Sequence, residues 1–451
     1  MLLSVALMAG TVCSTANARS LPDELGSLLL ENPQILAGES DIKAAEAGVD
    51  QATAPFLPIA TLSGDKGWER VDSQDRRASP GDPSSLARES ATLAVRLNLF
   101  DGFAKNAGLS IAERQLDLAK VTLDSLQQRM LFEGTQVYLT LLRQRRLNEL
   151  AREAEAKVQQ QVRLQEQLTA QAAATEVDTL LVRTRLAAAE ERRLTIDAQL
   201  TELSATYLRM FGRMPELEAM VDPGPLTVDL PATLEERVTF ALENHPDAAA
   251  AALQVDIASQ GREQARSGYF PRVDLVTEGG YERNVDAKRG IRRDQKAVVE
   301  LTWQFYDGGN TAAATERAAH SHVATLERRK FVLNRIGEEV RKSQNQLELA
   351  DARVKLLQTT SDLAERVVKA KQDLLAAGRE TALTVLDAEG EWISAQMNFL
   401  TAQVDRRLAY RRLLVSMGLH SAEIVLGFPT GKVASAEQHD LPGEFKSTLL
   451  P

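Results

Sequence analysis

Few side chains of this 451-residue chain are spaced for catalysis, and each candidate fails on its own chemistry. Gly427, Gly431 and Lys432 resemble a phosphate-cradling loop, but three residues separate the glycines where four are needed. Val433 also stands where a Ser or Thr must hold the metal. His320 and His322 are two apart, which puts them on different faces of a helix, so they share no metal without a third ligand. No Gly-x-Ser-x-Gly or His-Glu-x-x-His occurs, and the single cysteine, Cys13, has no partner for nucleophilic work. The sequence therefore predicts no catalytic residue, no cofactor and no metal. What remains to be explained is a pattern of faces.

Composition narrows the function further. With 63 acidic and 53 basic side chains the formal charge is -10, which argues against a nucleic-acid partner. Ala, Leu, Glu and Arg dominate, as suits long helices. Residues 1–18 carry no charged side chain and end in Ala16-Asn17-Ala18, the small-x-small pattern of a cleaved export signal. Cys13 falls inside that segment, and the residues before it, Gly10-Thr11-Val12, make a poor acylation signal. Elsewhere no stretch approaches the roughly 20 apolar residues a membrane helix requires. A membrane-spanning form of this chain must be a barrel.

The chain is written twice. Leu30-Glu31-Asn32-Pro33 recurs as Leu242-Glu243-Asn244-His245-Pro246, Phe56-Leu57-Pro58 as Tyr269-Phe270-Pro271, and Phe100-Asp101-Gly102 as Tyr306-Asp307-Gly308. One offset serves from Asp101 to Gly212. A larger one holds before the loop near residue 75, so the second copy is shorter in that loop, as a surface loop tolerates. The repeats span residues 19–212 and 233–418, with a linker at 213–232 and a tail at 419–451.

Each copy should open with a helix, announced by Asn32 before Pro33 and by Asn244 near Pro246. A proline at 58 or 271 then begins a hairpin, about 59–100 and 272–306. Leu93, Val95, Leu97 and Leu99 alternate with Thr92, Ala94, Arg96 and Asn98; Val299, Leu301, Trp303 and Phe305 alternate with Val298, Glu300, Thr302 and Gln304. That period suits strands with lipid on one face and a wet lumen on the other, and Trp68, Tyr281, Trp303, Phe305 and Tyr306 suit interfacial belts. Long helices follow, about 103–173 and 309–377. In the first, Leu109, Ala112, Leu116, Ala119, Leu123, Leu126 and Met130 keep the three-and-four spacing of a coiled-coil seam. Shorter return helices run about 175–212 and 381–418. The class is mainly α with a small β portion. Four strands cannot close in lipid alone; two copies would give eight strands with a filled interior, three would give twelve and a channel. A soluble periplasmic coiled-coil scaffold or adaptor is the alternative.

The order of helix, proline, hairpin, Leu-Phe-Asp-Gly or Phe-Tyr-Asp-Gly, long helix, tip and return helix resembles the TolC-like outer-membrane efflux family. The resemblance rests above all on residues 99–102, 305–309 and 378–388. It implies a homotrimer in the Gram-negative outer membrane, with a twelve-stranded barrel, a long antiparallel coiled-coil tunnel in the periplasm, and no enzymatic activity. It also implies contact with outer-membrane lipid, a periplasmic membrane-fusion adaptor, and an ABC or proton-driven inner-membrane transporter, for protein secretion or multidrug efflux. Protein secretion is the closer likeness. The family's tunnel narrows at two carboxylates one turn apart, which align here with Thr384 and Asp387. Only Asp387 is acidic, so a trimer would carry one ring of three charges, favouring cations and blocked by polyvalent ones. Adaptor contacts would fall at Ala172, Thr175, Asp178, Gly378, Arg379 and Thr381. Ala172 stands where the family places glycine. The barrel and helix junctions would be Pro58, Asp101 and Gly102, with Pro271, Asp307 and Gly308.

Overall fold

The computed structural model describes residues 20–72, 74, 78, 85–171 and 175–426. The expected export signal with Cys13, Ala172 of the first tip, and the tail from residue 427 lie outside the described residues. The chain divides into two units: one from Met1–Leu36, Asp124–His245 and Ile336–Pro451, the other from Ala37–Leu123 and Pro246–Arg335.

Each copy repeats one order of elements. The first has α1 (Leu21–Glu31), α2 (Pro33–Thr53), β1 (Ile59–Arg70), β2 (Ser85–Phe100), α3 (Ala104–Ala170) and α4 (Glu176–Phe211). The second has α5 (Leu234–Asn244), α6 (Pro246–Arg266), β3 (Arg272–Arg283), β4 (Ile291–Thr302), α7 (Asn310–Ala376) and α8 (Ala382–Ser416), and a short α9 (Ala422–Leu426) follows. Both α3 and α7 contain 67 residues, about 100 Å of helix at 1.5 Å per residue. Residues 212–233 form neither helix nor strand.

Two sequence expectations need correction here. A short helix precedes the anticipated opening helix in each copy, begun by the capping boxes Ser20 with Asp23 and Thr233 with Glu236. Asn32 does accept from the Gln34 backbone N–H at 2.9 Å, but it also closes α1. Asn244 caps nothing downstream: it lies inside α5, its amide turned back to the Phe240 carbonyl.

The first unit is held by an apolar core drawn from α1, the middle of α3 and the C-terminal ends of α4 and α8. Leu21, Leu25 and Leu28 of α1 are buried with Leu131, Tyr138 and Leu139 of α3, Tyr207 and Phe211 of α4, and Leu413 and Leu414 of α8. Gly134 permits this approach, since a Cβ there would stand 2.9 Å from both Leu25 and Leu28. Tyr138 ties the linker to the core, its hydroxyl donating to the Val221 carbonyl at 2.9 Å and accepting from the Val221 N–H at 3.2 Å. Nearer the tips Val162, Val182 and Leu386 form a smaller cluster that fastens α3, α4 and α8 together.

The second unit carries one antiparallel sheet in the order β1-β2-β3-β4. The two hairpins meet along β2 and β3, which leaves β1 and β4 as edges.

Candidate functional site

The register of the sheet sorts its side chains into two opposite faces, because residues directly opposed across antiparallel strands share a face. Leu62 opposes Leu93, Leu97 opposes Leu275, Leu275 opposes Val299, and Val273 opposes Leu301. This apolar face is open: Leu62 is 76% exposed, Trp68 70%, Val299 64% and Leu301 64%. Burying such a surface in lipid is favourable, whereas leaving it in water is not.

The other face is charged and internally paired. Asn98, Asp274 and Glu300 stand in one row across three strands. Asp274, 4% exposed, meets Arg96 at 3.0 Å, the Asn98 amide at 2.8 Å and Arg272 at 2.9 Å. Further along, Lys296 pairs with Glu278 at 2.6 Å. Arg88 and Ser90 both bond Asp65. The charged row is thereby neutralised locally while facing away from the apolar surface.

Two details differ from strict alternation. A bulge between Asn98 and Phe100 removes Leu99 from the pattern. At this irregularity the Lys105 ammonium donates to the Asn98 carbonyl at 2.7 Å, a group that an unbroken ladder would use. The second hairpin ends at Thr302, so Trp303 and Phe305 are not strand residues. The Trp303 indole instead donates to the Tyr269 carbonyl at 3.2 Å, and Phe305 and Tyr306 are left 86% and 79% exposed.

The Asp-Gly motifs turn strand into helix. Asp101 accepts from the Lys105 N–H at 3.0 Å, and Asp307 from those of Thr311 at 2.7 Å and Gly309 at 3.0 Å. Each carboxylate thus caps a 67-residue helix at its electropositive end. The corner itself requires left-handed backbone, at Gly102 (φ 70°) and Phe103 (φ 69°) and again at Gly308 (φ 69°) and Gly309 (φ 88°). Pro58 and Pro271 each follow a 3-10 turn, Ala54–Phe56 or Ser267–Tyr269, and stand immediately before a strand.

At the tips, Thr175 and Asp178 form a capping box that starts α4: the Thr175 hydroxyl donates to the Asp178 carboxylate at 2.7 Å and accepts from the Asp178 N–H at 3.2 Å. Gly378 (φ 68°) ends α7 in a Schellman turn, with its own N–H bonded to the Leu375 carbonyl and that of Arg379 to the Leu374 carbonyl. Thr381 then caps α8, accepting from the Thr384 N–H.

Asp387 and Thr384 lie one turn apart on α8, and both are engaged. Arg185 of α4 reaches Asp387 at 3.1 Å, with both side chains about half-exposed. The Thr384 hydroxyl donates to Glu380 at 2.7 Å, and the Lys371 ammonium donates to the Thr384 carbonyl at 3.3 Å. Sequence reasoning missed Arg185 and Glu380. Arg185 belongs to the first copy, and nothing in its local pattern marks it as the partner of a residue two hundred positions away.

A sheet with one exposed apolar face, joined by capped Asp-Gly corners to long paired helices, is the fold of outer-membrane channel subunits. The outer-membrane protein VceC of Vibrio cholerae superposes with a TM-score of 0.76 at 18% identity, covering 88% of this chain and 96% of that one. The outer membrane efflux protein model matches residues 25–213 and 238–419, and the chain belongs to that family. The alkaline protease secretion protein AprF of Pseudomonas aeruginosa is 27% identical over 87% of this chain and 83% of its own length. The TolC outer membrane protein of Vibrio cholerae is 22% identical over 96% and 98%. The protein is an outer-membrane export channel subunit, with its helices in the periplasm.

Proposed function

We propose that three copies of this chain close a twelve-stranded barrel, and that their helices form a passive tunnel from the periplasm to the exterior. The observation that carries this reading is the open apolar sheet with its two unpaired edges, β1 and β4. In hydrocarbon an unpaired backbone group costs several kcal/mol, so the edges must find partners. Joining β4 of one copy to β1 of the next keeps the alternation antiparallel, because each copy supplies an even number of strands. Three copies leave a passage, whereas two would fill their own interior. A soluble scaffold gives the exposed Leu62, Val299 and Leu301 no favourable surroundings.

The tips around Thr175, Asp178, Gly378, Arg379 and Thr381, together with Ala172, are the docking surface for a periplasmic adaptor, which couples the tunnel to an inner-membrane pump. The likeness to AprF, named as a protease secretion protein, favours protein cargo. Asp387 and Thr384 form the periplasmic constriction, where the pairing of Asp387 with Arg185 offsets much of the ring's negative charge.

Single-channel conductance of the detergent-extracted protein in a planar bilayer tests this, with a trivalent cation added from each side in turn. Small stable steps are expected, blocked from one side only. Asp387→Ala should weaken both cation selectivity and block, and Arg185→Gln should strengthen both. Absence of conductance from folded protein would remove the tunnel reading. Conductance with selectivity unmoved by either substitution would remove only the constriction.

A further inference from the structure

Charge is distributed unevenly along the apolar face of the sheet. From the Asp-Gly corners outward, the rows that begin at Val273 and Leu301 and run to Leu62, Leu93, Gly279 and Gln295 hold no ionisable side chain. Arg293 then shares a row with Tyr281, the next row joins Lys66, Glu89 and Arg283 across three strands, and Arg70 closes β1 on the same face. The far end of the apolar face is thus basic, with Glu89 as its one acidic strand residue. The opposite face carries both signs throughout, from Arg272 and Asp274 near the corners to Glu282 and Arg292 at the far end. The basic rim therefore belongs to one face, in a chain whose formal charge is -10.

These cations are open and largely unmatched. Lys66 and Arg283 share Glu89, at 2.8 and 3.8 Å, and their side chains remain 80% and 54% exposed. Arg70 and Arg293 are exposed, and among the described residues neither forms an ion pair with a carboxylate. Their depth is set by the strand. From Leu301 back to Arg293 the chain covers about 27 Å at 3.4 Å per residue. The tilt of barrel strands reduces that to about 20 Å, close to the height of the apolar band on such barrels. Arg293 and the cations beyond it accordingly stand at the level of lipid headgroups, beside the amphipathic rings of Tyr281 and Trp68. Since the helices lie in the periplasm, this rim meets the outer leaflet.

We infer that the rim of Lys66, Arg70, Arg283 and Arg293 docks the phosphate groups of outer-leaflet lipid. The inference rests on the barrel reading, which supplies the orientation of the face. A lipid-facing charge is tolerated only near the headgroups, and an excess of cations there gains most from anionic partners. Phosphate suits three of these residues especially, because its oxygens match the guanidinium fork. Glu89 holds Lys66 and Arg283 side by side across β2, so a phosphate above that row would meet two cations already placed.

The test uses the full-length protein in a non-ionic detergent, with diphosphoryl or monophosphoryl lipid A added to the micelles. Bound lipid is counted by native mass spectrometry, and conductance in a planar bilayer reports the barrel independently. The parent should bind the diphosphoryl lipid more tightly, and EDTA should leave that binding in place because the cations contact phosphate directly. Arg293→Gln should weaken it about fivefold, the worth of one basic side chain at an anionic lipid surface. Arg292→Gln removes the same charge from the adjacent residue on the opposite face and should leave lipid binding unchanged. Replacing Lys66, Arg70, Arg283 and Arg293 together by Gln should abolish the preference between the two lipids. A parent that conducts but binds both lipids alike, an equal loss in Arg292→Gln, loss of binding in EDTA, or full displacement by inorganic phosphate would overturn the rim alone. A folded parent that never conducts would remove the barrel and the rim with it.

Discussion

The two strand-to-helix corners adopt one backbone with different residues. Asp307-Gly308-Gly309 turns in open space, since a Cβ on either glycine would meet nothing within 4 Å. Asp101-Gly102-Phe103 makes the same left-handed turn under crowding: a Cβ on Gly102 would lie 2.6 Å from the Ser267 carbonyl and 2.8 Å from the Phe270 Cβ. Phe103 accepts a positive φ that glycine accepts freely, and its ring meets Phe100 and Phe270 edge to face at centroid distances of 5.4 and 6.5 Å. Duplication preserved the path of the chain while one copy gained an aromatic contact at the expense of backbone ease. In the first copy the corner also packs against the second copy's 3-10 turn, so it joins the hairpins as well as turning the chain.

The sharpest way to break this comparison is to add one methyl group at each corner. Gly102→Ala combines left-handed strain with a collision against backbone and should cost about 3 kcal/mol. Gly308→Ala carries only the strain, about 1 kcal/mol. Thermal unfolding of the two variants in detergent should therefore separate them clearly, and equal midpoints would mean the crowding at Gly102 is relieved at no cost.

The copies differ just as much where their return helices end. Gly212 and Gly418 both stop a helix in left-handed conformation, but two residues later Met214 is 62% exposed while His420 is wholly buried. Burial first, and then the charge of Arg411, push His420 down to about 3. The unfolded chain takes up a proton near pH 6.5 that the folded chain refuses until about pH 3. Stability is therefore intact above pH 6.5 and falls progressively below it, by about 3 kcal/mol at pH 4.5. His420→Leu should flatten that part of the pH profile, and Met214→Leu should leave it unchanged.

The caps come next. Asp307 serves two backbone N–H groups and the Thr311 hydroxyl, whereas Asp101 serves one N–H and its Oδ1 is buried without a partner among the described residues. Asp307→Ala should cost about 1 to 2 kcal/mol and Asp101→Ala about 0.5 to 1. Hydrogen exchange in the first turns of α7 and α3 would register the difference. The smallest effect belongs to Phe103→Gly, in which relieved strain and lost ring contacts each amount to about 1 kcal/mol and nearly cancel. A large loss there would mean that the aromatic cluster outweighs the backbone.

What the sequence revealed followed how local each signal is. Period-two runs and Asp-Gly corners are decided within a few residues, so the hairpins and the long helices could be located from pattern alone. The short helices α1 and α5 were hidden because Asn32 and Asn244 look like starts when read without the turn before them. Leu99 falls out of register at a bulge and Trp303 lies past the end of β4, where Lys105 and the Tyr269 carbonyl supply partners that alternation does not encode. Asp387 was reached by resemblance, but its pairing with Arg185 joins two copies through the fold and has no counterpart in spacing. The burial of Arg411, only 5% exposed, was invisible for a related reason: an arginine on a helix looks solvated until the elements packed around it are in place.

If the proposed ring forms, the two bare strands at the margins of the sheet make its assembly all-or-none. In the proposed ring every copy donates one margin and receives another, so one chain with a spoiled β1 or β4 blocks closure for two sound neighbours. If half the chains in a cell carried such a lesion and mixed at random, only roughly one ring in eight would contain none, as follows from threefold head-to-tail closure. A proline in β4 would then behave as a dominant poison, while a null allele of the same gene would merely halve the dose.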